Sequence, residues 1–321
     1  MAITSPTVGK GVALSILCLT LLGVMPIIAN LRPAEVGALS FAFGLSVWQV
    51  VFAGPVLALE LRRGAKGIFA VELSRRKQGR MALAALFTGA LFGLSTYLYV
   101  LGIEKAGATN AAIAIQAYPL FAIFLESVFL KRRKTPIELG LTAILVTSLY
   151  YLGTGGTFSM SDISGWFLAC LGVPLLWSVA HVIIKEELNN TPITPAQVTF
   201  FRVAISTVFL GAILVAALNG LHSRIAAIFQ LSSAIMGFVY FIELIVWFYA
   251  VRHIDVSLAS SITTPWPALT MVLAASFLGD AIESYQIAAF IVVVACIYGL
   301  TIAGLNKART AKDLAEPRPL K

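Results

Sequence analysis

Long apolar stretches alternate with short polar ones along almost the whole chain. Because a helix rises about 1.5 Å per residue, about 20 apolar residues cross a hydrocarbon core of about 30 Å. Uniformly apolar runs of this length predict helices, since the strands of a membrane barrel alternate apolar and polar positions. The predicted spans are roughly 10–29, 35–59, 81–102, 107–130, 137–153, 163–184, 196–219, 226–250, 256–278 and 284–305.

The composition supports a polytopic membrane protein. Hydrophobic residues make up 59% of the 321 residues and charged residues 12%, and the mean hydropathy is +0.91. A soluble domain carries about 25% charged residues. We therefore predict an all-α integral membrane fold, embedded in the lipid bilayer. The cysteines lie inside apolar stretches and are expected to be packing residues without disulfides; they are Cys18, Cys170 and Cys296.

Basic side chains fall unevenly on the two faces of this fold. When the first span begins on the cytoplasmic side, all but four of the 23 Lys and Arg residues fall on that side. The exceptions are Arg32, Lys105 and Arg224 on the other face, and Arg202 inside a span. The positive-inside rule then predicts a multi-pass protein of a bacterial-type inner membrane with both termini cytoplasmic. The net charge of +8 reflects contact with anionic lipid rather than with nucleic acid.

One pattern occurs twice, 148 positions apart. The stretches 110–134 and 258–282 align without a gap, and each carries an aromatic–proline pair at mid-span. The pairs are Tyr118–Pro119 and Trp266–Pro267. Self-similarity at a long period indicates a duplicated unit. With five spans in each copy, the second copy enters from the opposite face, so we predict ten transmembrane helices arranged as two inverted five-helix repeats.

The duplication also predicts the domain boundaries. We expect a first repeat at 1–153, a second at 154–306 and a basic, disordered cytoplasmic tail at 307–321. The basic connection at about 60–80 is expected to lie along the membrane surface. Because one chain supplies both repeats, a functional monomer is expected. Inverted repeats are typical of secondary transporters, whose substrate site lies near the midplane between the repeats.

Aromatic and polar side chains at mid-depth are the candidates for this site. The three prolines Pro119, Pro265 and Pro267 remove helical hydrogen bonds, and in lipid the released carbonyls need partners, so such helices usually line a cavity. Tight packing around proline kinks is the alternative. A ring-lined cavity with few polar groups suits a mostly apolar solute with a polar end. The candidate substrate-binding residues are Trp48, Gln49, Tyr99, Gln116, Tyr118, Trp177, Ser178, Thr264 and Trp266.

Charges within the spans are scarce, and such charges usually have a function. Arg202 and Glu243 lie at matching depths, with His181 near that level. In one interpretation they form a binding or gating cluster in which Arg202 holds a carboxylate through two hydrogen bonds. In the other, Arg202 and Glu243 form a structural ion pair and Arg202 extends partly to the interface.

The sequence contains no pattern of a soluble enzyme. Its three histidines are dispersed, it has no phosphate-binding glycine loop, and it has no nucleophile–base spacing. We predict neither an enzyme nor a bound metal or cofactor. Export of cationic drugs or other metabolites remains an alternative, as does a lipid-modifying enzyme built on His181, Arg202 and Glu243. Gly89 and Gly93 form a pattern that suits close helix contact.

Three motifs resemble one transporter family. They are the doubled five-span unit with mid-span prolines, the ninth-span exit at 277–280, which reads FLGD, and the 176–178 segment LWS followed by Arg202. The chain resembles the EamA-type exporters of the drug/metabolite transporter superfamily, and most closely the YddG-type exporters of aromatic amino acids. This resemblance implies a small-molecule substrate: a small neutral amino acid, aromatic or hydrophobic, exported from the cytoplasm by alternating access. If export is ion-coupled, Glu243 is the candidate carrier.

Overall fold

The computed structural model describes residues 8–70, 74–129, 134–217, 226–254, 259 and 262–315, and these ranges contain helices and no strands. Short 3₁₀ segments lie at Gly67–Ala70, Met160–Asp162 and Ala226–Phe229, and a π-helical turn occupies Ala274–Leu278. The α-helices are α1 (Val8–Asn30), α2 (Ala38–Arg62), α3 (Arg75–Ala106), α4 (Ala108–Ile115), α5 (Tyr118–Phe129), α6 (Pro136–Gly153), α7 (Gly165–Asn190), α8 (Pro195–Ala216), α9 (Leu231–His253), α10 (Trp266–Leu273) and α11 (Ser284–Ala315).

The helices account for the ten predicted spans. Within the described ranges, α1, α2, α3, α6, α8, α9 and α11 are each long and apolar enough to cross a membrane. Helix α7 contains a shorter apolar stretch, Gly165–His181, and α10 with its π-helical turn contains another, Trp266–Leu278. Helices α4 and α5 together form the fourth span. The prediction of an all-α membrane protein with ten transmembrane helices is confirmed.

The fourth and ninth spans are interrupted at equivalent positions. Helix α5 begins at Tyr118 and α10 begins at Trp266, 148 residues later, and proline is the second residue of both. Proline suits the first turn of a helix because the missing N–H is not needed there. The turn before each helix is closed by an equivalent hydrogen bond of 3.0 Å. Its donor is the amide of Leu120 in the fourth span and the amide of Ala268 in the ninth.

The helices pack in a pattern that is unchanged when the two halves are exchanged. Helix α1 packs on α9, and α7, the equivalent of α1, packs on α3. Likewise α3 packs on α8 and α9 on α2, whereas α2 with α8 and α6 with α11 pair with their own equivalents. Two inverted repeats produce this exchange symmetry. The residue at which one repeat ends and the next begins stays a prediction.

Two glycines occupy equivalent helix crossings. A Cβ atom at Gly89 in α3 would lie 2.5 Å from the side chain of Ile205 in α8. A Cβ atom at Gly237 in α9, 148 residues further on, would lie 2.6 Å from the carbonyl oxygen of Leu45 in α2. The close contact expected for Gly89 is therefore present. Small residues permit this approach, which matters in lipid because packing, not water exclusion, holds membrane helices together.

Two expectations about polar segments need correction. Helix α3 begins at Arg75, so the basic connection after α2 is shorter than expected, and its position on the membrane surface stays a prediction. Helix α11 continues to Ala315, so the tail is helical up to that residue. Alanine, lysine, arginine and leucine are strong helix formers and extend the helix beyond its apolar part. Residues 316–321 lie outside the described part of the chain.

The crossing at Gly237 gives a prediction about stability. We expect Gly237→Ala to destabilise the protein by about 1–3 kcal/mol, because the added methyl group overlaps the backbone of α2. Gly54→Ala is the matched control, since a Cβ there meets its nearest neighbour, Phe200, at 3.9 Å. The measurement is the midpoint of thermal unfolding in detergent, followed by gel filtration. Equal midpoints for the two variants would contradict the packing of α9 on α2.

Candidate functional site

Arg202 is buried inside its span. It is 7% exposed, and its Cζ atom lies 3.5 Å from the centre of the Phe92 ring in α3. Its Nη2 atom donates a hydrogen bond of 3.3 Å to the hydroxyl of Tyr240 in α9. A guanidinium has five N–H donors, and the described residues accept from one of them. The aromatic face stabilises the cation but leaves its remaining donors available.

Glu243 lies one turn beyond Tyr240 on the same face of α9, because residues three apart on a helix are neighbours. It is 8% exposed and accepts a hydrogen bond of 3.3 Å from the thiol of Cys18 in α1. The direct ion pair with Arg202 that the sequence allowed is not formed. Instead α9 presents the Tyr240 phenol to Arg202 and directs Glu243 towards α1. Arg202 is buried under a ring and does not extend to the interface.

A row of rings connects Arg202 with the interruption in the fourth span. The ring of His181 in α7 lies 5.4 Å from Phe92 and 5.8 Å from Tyr118, measured between ring centres. Four elements therefore meet around this row: α3, α5, α7 and α8. We call these side chains, together with two side chains of α9, the central cluster: Phe92, Tyr118, His181, Arg202, Tyr240 and Glu243.

Trp177 and Ser178 attach α7 to its neighbours. The indole N–H of Trp177 donates to the hydroxyl of Ser95 in α3 at 2.9 Å, and the hydroxyl of Ser178 donates to the carbonyl of Tyr118 at 3.3 Å. The protein thus already uses the polar groups of both predicted residues. The Ser178 bond holds the second half of the fourth span against α7, and the Trp177 bond holds α3 against α7.

The two interruptions lie close to each other. Gln116 and Thr264 precede them at equivalent positions and are 8% and 4% exposed. Trp266 is also buried, and Tyr118 is half-buried. Because α10 packs on α4, the ninth span meets the fourth at this level. At Pro119, Pro265 and Pro267, where kinks were expected, a two-residue turn interrupts the α-helix.

The remaining candidates lie in different surroundings. Trp48 donates its indole N–H to the carbonyl of Ile228 at 2.7 Å, in the 3₁₀ segment before α9. That contact places Trp48 at a connection between spans, apart from the interruptions. Gln49 is buried on the inward face of α2, and Tyr99 is buried within electrostatic range of Tyr240 and Glu243. The roles of all these residues stay predictions.

Sequence reasoning missed three members of this region. Tyr240 could have been found, since it stands three residues before Glu243 and therefore shares its helix face. Cys18 and Phe92 gave no comparable signal, because a single apolar-type residue in an apolar span has no distinguishing neighbours. The cysteines are buried and not in disulfides, as expected. Among the described residues, no group of three side chains could hold a metal ion.

A small cavity lies beside Arg202, towards the face at which α1 begins and α11 ends. It has a volume of about 60 Å³ and is lined by mostly apolar side chains of α3, α7, α8 and the connection between α7 and α8, together with Thr88 and Arg202. Met81 and Val198, near the starts of α3 and α8, belong to its outer part. The buried guanidinium therefore borders a small, mostly apolar space on that side of the protein.

The fold and its interrupted spans define a multi-pass helical membrane protein built like a secondary transporter. The chain belongs to the EamA-like transporter family, whose model matches residues 9–154 and again 164–302. The chain is similar to a protein of Streptantibioticus cattleyicolor named "Probable terminal-alkyne amino-acid exporter", with 25% identity over 240 residues, 74% of this chain and 76% of that protein. A crystal structure at 16% identity matches with a TM-score of 0.54 over 94% of this chain and 97% of that chain, which shows the fold alone.

The surroundings of Arg202 predict that it contributes little to folding. We expect Arg202→Met to cost at most about 2 kcal/mol, because it removes one hydrogen bond and two cation–π contacts, the one with Tyr240 at 5.9 Å. Arg32→Met is the control. That guanidinium bonds to the carbonyls of Ala29 and Val36 and pairs with Glu104, so its loss should cost about 3 kcal/mol. Thermal unfolding in detergent compares the two, and a larger loss for Arg202→Met would make Arg202 structural.

Proposed function

We propose that this protein exports small neutral amino acids with aromatic or hydrophobic side chains from the cytoplasm, as a secondary transporter working by alternating access. The observation that carries this proposal is the incompletely bonded guanidinium of Arg202 beside a carboxylate that it does not touch. A buried charge in a low-dielectric interior is costly until an opposite charge reaches it. An arriving carboxylate would bind Arg202 through two parallel hydrogen bonds.

The spacing of the charges suits a zwitterion. Tyr240 contacts Arg202, and Glu243 stands one helical turn away, a rise of about 5 Å. The carboxylate and ammonium groups of an α-amino acid branch from one carbon atom. They therefore fit between two opposite charges that lie side by side. The rings of Phe92 and Tyr118 would then receive the apolar side chain.

The comparisons support the substrate class and the direction. The name of the Streptantibioticus cattleyicolor relative specifies an amino acid as the solute and export as the direction. We extend both to this chain. The basic residues support cytoplasmic termini in an inner membrane. One chain contains both repeats, which supports a functional monomer. The cavity beside Arg202 would then be part of the cytoplasmic entrance.

The two interrupted spans supply the parts that move. A break in a helix lets its two halves change their relative angle without disrupting regular hydrogen bonds. In the proposed cycle the fourth and ninth spans pivot at the breaks before Tyr118 and Trp266, and open the central cluster to one face at a time. Equivalent breaks in inverted repeats give both faces the same means of opening.

The first functional prediction concerns the rings at the breaks. We expect Trp266→Ala and Tyr118→Ala each to lower efflux of phenylalanine from preloaded proteoliposomes by about fivefold to tenfold, because each removes ring contacts worth about 1 kcal/mol or more. The control is Trp166→Ala, an indole that is 46% exposed and lies outside the site. Efflux at the normal rate by both site variants would contradict a midplane site. Absence of efflux of any neutral amino acid by the unaltered protein would end the proposal.

A second prediction separates amino acids from cations, which Glu243 alone would also attract. We expect Arg202→Met to abolish efflux of phenylalanine, since it removes the partner of the carboxylate. A cation exporter would tolerate this change and would depend on Glu243 instead. The measurement is efflux of phenylalanine and of phenethylamine, which lacks the carboxylate, by Arg202→Met and Glu243→Gln. Export of phenethylamine that survives Arg202→Met and is lost in Glu243→Gln would establish the cation alternative.

A further inference from the structure

A second cavity opens on the face opposite the termini. Its volume is about 400 Å³, and it lies between the start of α2 and the end of α3. We call it the outer cavity. Polar residues contribute much of its lining, in contrast to the mostly apolar cavity beside Arg202, and Tyr97 and Leu101 form an apolar wall. A cavity of this size can accommodate a small molecule.

The first turn of α2 lines the outer cavity. Gly37 is the N-cap residue, and no side chain caps the helix. The first amide to find a carbonyl one turn back is that of Phe41, which donates to Gly37 at 3.0 Å. The amides of residues 38–40 precede it and have no carbonyl of the helix to bond. The N-terminal end of a helix attracts anions because its unpaired N–H groups point outward and the helix dipole is positive there.

Ser40 adds an independent reason to expect a ligand here. It lines the outer cavity and is 8% exposed, and its hydroxyl has no hydrogen-bond partner among the described residues. Other hydroxyls in the spans donate to a carbonyl one turn back, as Thr88 does to Ala84 at 2.7 Å. The carbonyl one turn before Ser40, that of Val36, accepts instead from Arg32 at 3.0 Å. The hydroxyl of Ser40 thus remains available to a molecule in the cavity.

The carboxylates of the outer cavity differ in their partners. Glu104 pairs with Arg32 and, at 2.8 Å, with Lys105. Glu35 is exposed at the rim, and no basic side chain of the described residues pairs with it. Its negative charge therefore lies beside the positive helix end and is available to a cation.

We propose that the outer cavity binds a zwitterionic amino acid, as the exit station of the transport path. The carboxylate of the ligand bonds to Ser40 and the first amides of α2, its ammonium group faces Glu35, and its side chain lies against Tyr97 and Leu101. A simple anion would be repelled by Glu35, and a simple amine would leave Ser40 and the amides without partners. This inference rests on the proposed function and adds a second, outward-facing site to it.

The test measures protection of a cysteine in the full-length protein. The native cysteines are buried, so Leu39→Cys introduces a reactive thiol in the lining of the outer cavity. In right-side-out membrane vesicles, a membrane-impermeant maleimide should label this thiol. Saturating phenylalanine should slow labelling at least about fivefold. N-acetylphenylalanine, which lacks the ammonium group, and phenylalanine methyl ester, which lacks the carboxylate, should not. Leu101→Cys repeats the measurement from the facing wall.

Two further substitutions identify the ligand's partners. In the Leu39→Cys protein, Glu35→Gln and Ser40→Ala should each raise the phenylalanine concentration that gives half-protection by about fivefold, the usual effect of losing one exposed ion pair or one hydrogen bond. The control is Glu283→Gln, which neutralises an exposed carboxylate in the connection before α11, on the same face but outside the cavity. It should leave half-protection unchanged.

The outcomes separate this inference from the proposed function. Absence of labelling from outside, absence of protection, or equal protection by all three compounds would overturn the outer site, whether or not the protein exports amino acids. Selective protection in a protein that gives no efflux from proteoliposomes would leave the outer site in place and overturn the transport proposal instead.

Discussion

Backbone hydrogen bonding in lipid is the constraint on which this structure depends. A helix that crosses the hydrocarbon satisfies its own amides and carbonyls, and a broken helix cannot. The fourth and ninth spans break in mid-membrane, so their unsatisfied groups must face protein. Helix α4 accordingly packs on α10, and Ser178 of α7 donates to the carbonyl of Tyr118. The position of a polar interior thus follows from the backbone, before any side chain is chosen for a substrate.

Duplication imposes this constraint twice. The breaks before Tyr118 and Trp266 lie 148 residues apart, and so do the glycines at 89 and 237. Lipid offers helices no hydrophobic reason to associate, so close contact at small residues holds them together. Gly89 brings α3 against α8, and Gly237 brings α9 against α2. Each repeat therefore forms the same close helix crossing, and the two crossings have opposite orientations. The breaks in the fourth and ninth spans are the least rigid points of this bundle.

Local signals made much of this fold predictable. Apolar length predicted the ten spans, an aromatic–proline repeat predicted both breaks, and Gly89 marked a close crossing. The surroundings of Arg202 could not be predicted in this way. Depth along α8 and α9 matched Arg202 with Glu243, but depth does not determine how each helix is rotated about its axis. Tyr240, which stands three residues before Glu243 on α9, contacts the guanidinium instead. Glu243 bonds to the thiol of Cys18, which belongs to a helix far away in the sequence.

The two proposed sites apply the same recognition in different dielectric surroundings. At the central cluster both charges are buried, so each would interact strongly with a zwitterion. At the outer cavity Glu35 is exposed, so water and salt weaken its attraction. A weaker outer site does not change the equilibrium distribution of the solute, which its gradient and any coupling ion determine. It changes the rates, because a solute that leaves the tighter inner site is then held only weakly before release. The solvent exposure of one carboxylate thus favours rapid release on the face opposite the termini.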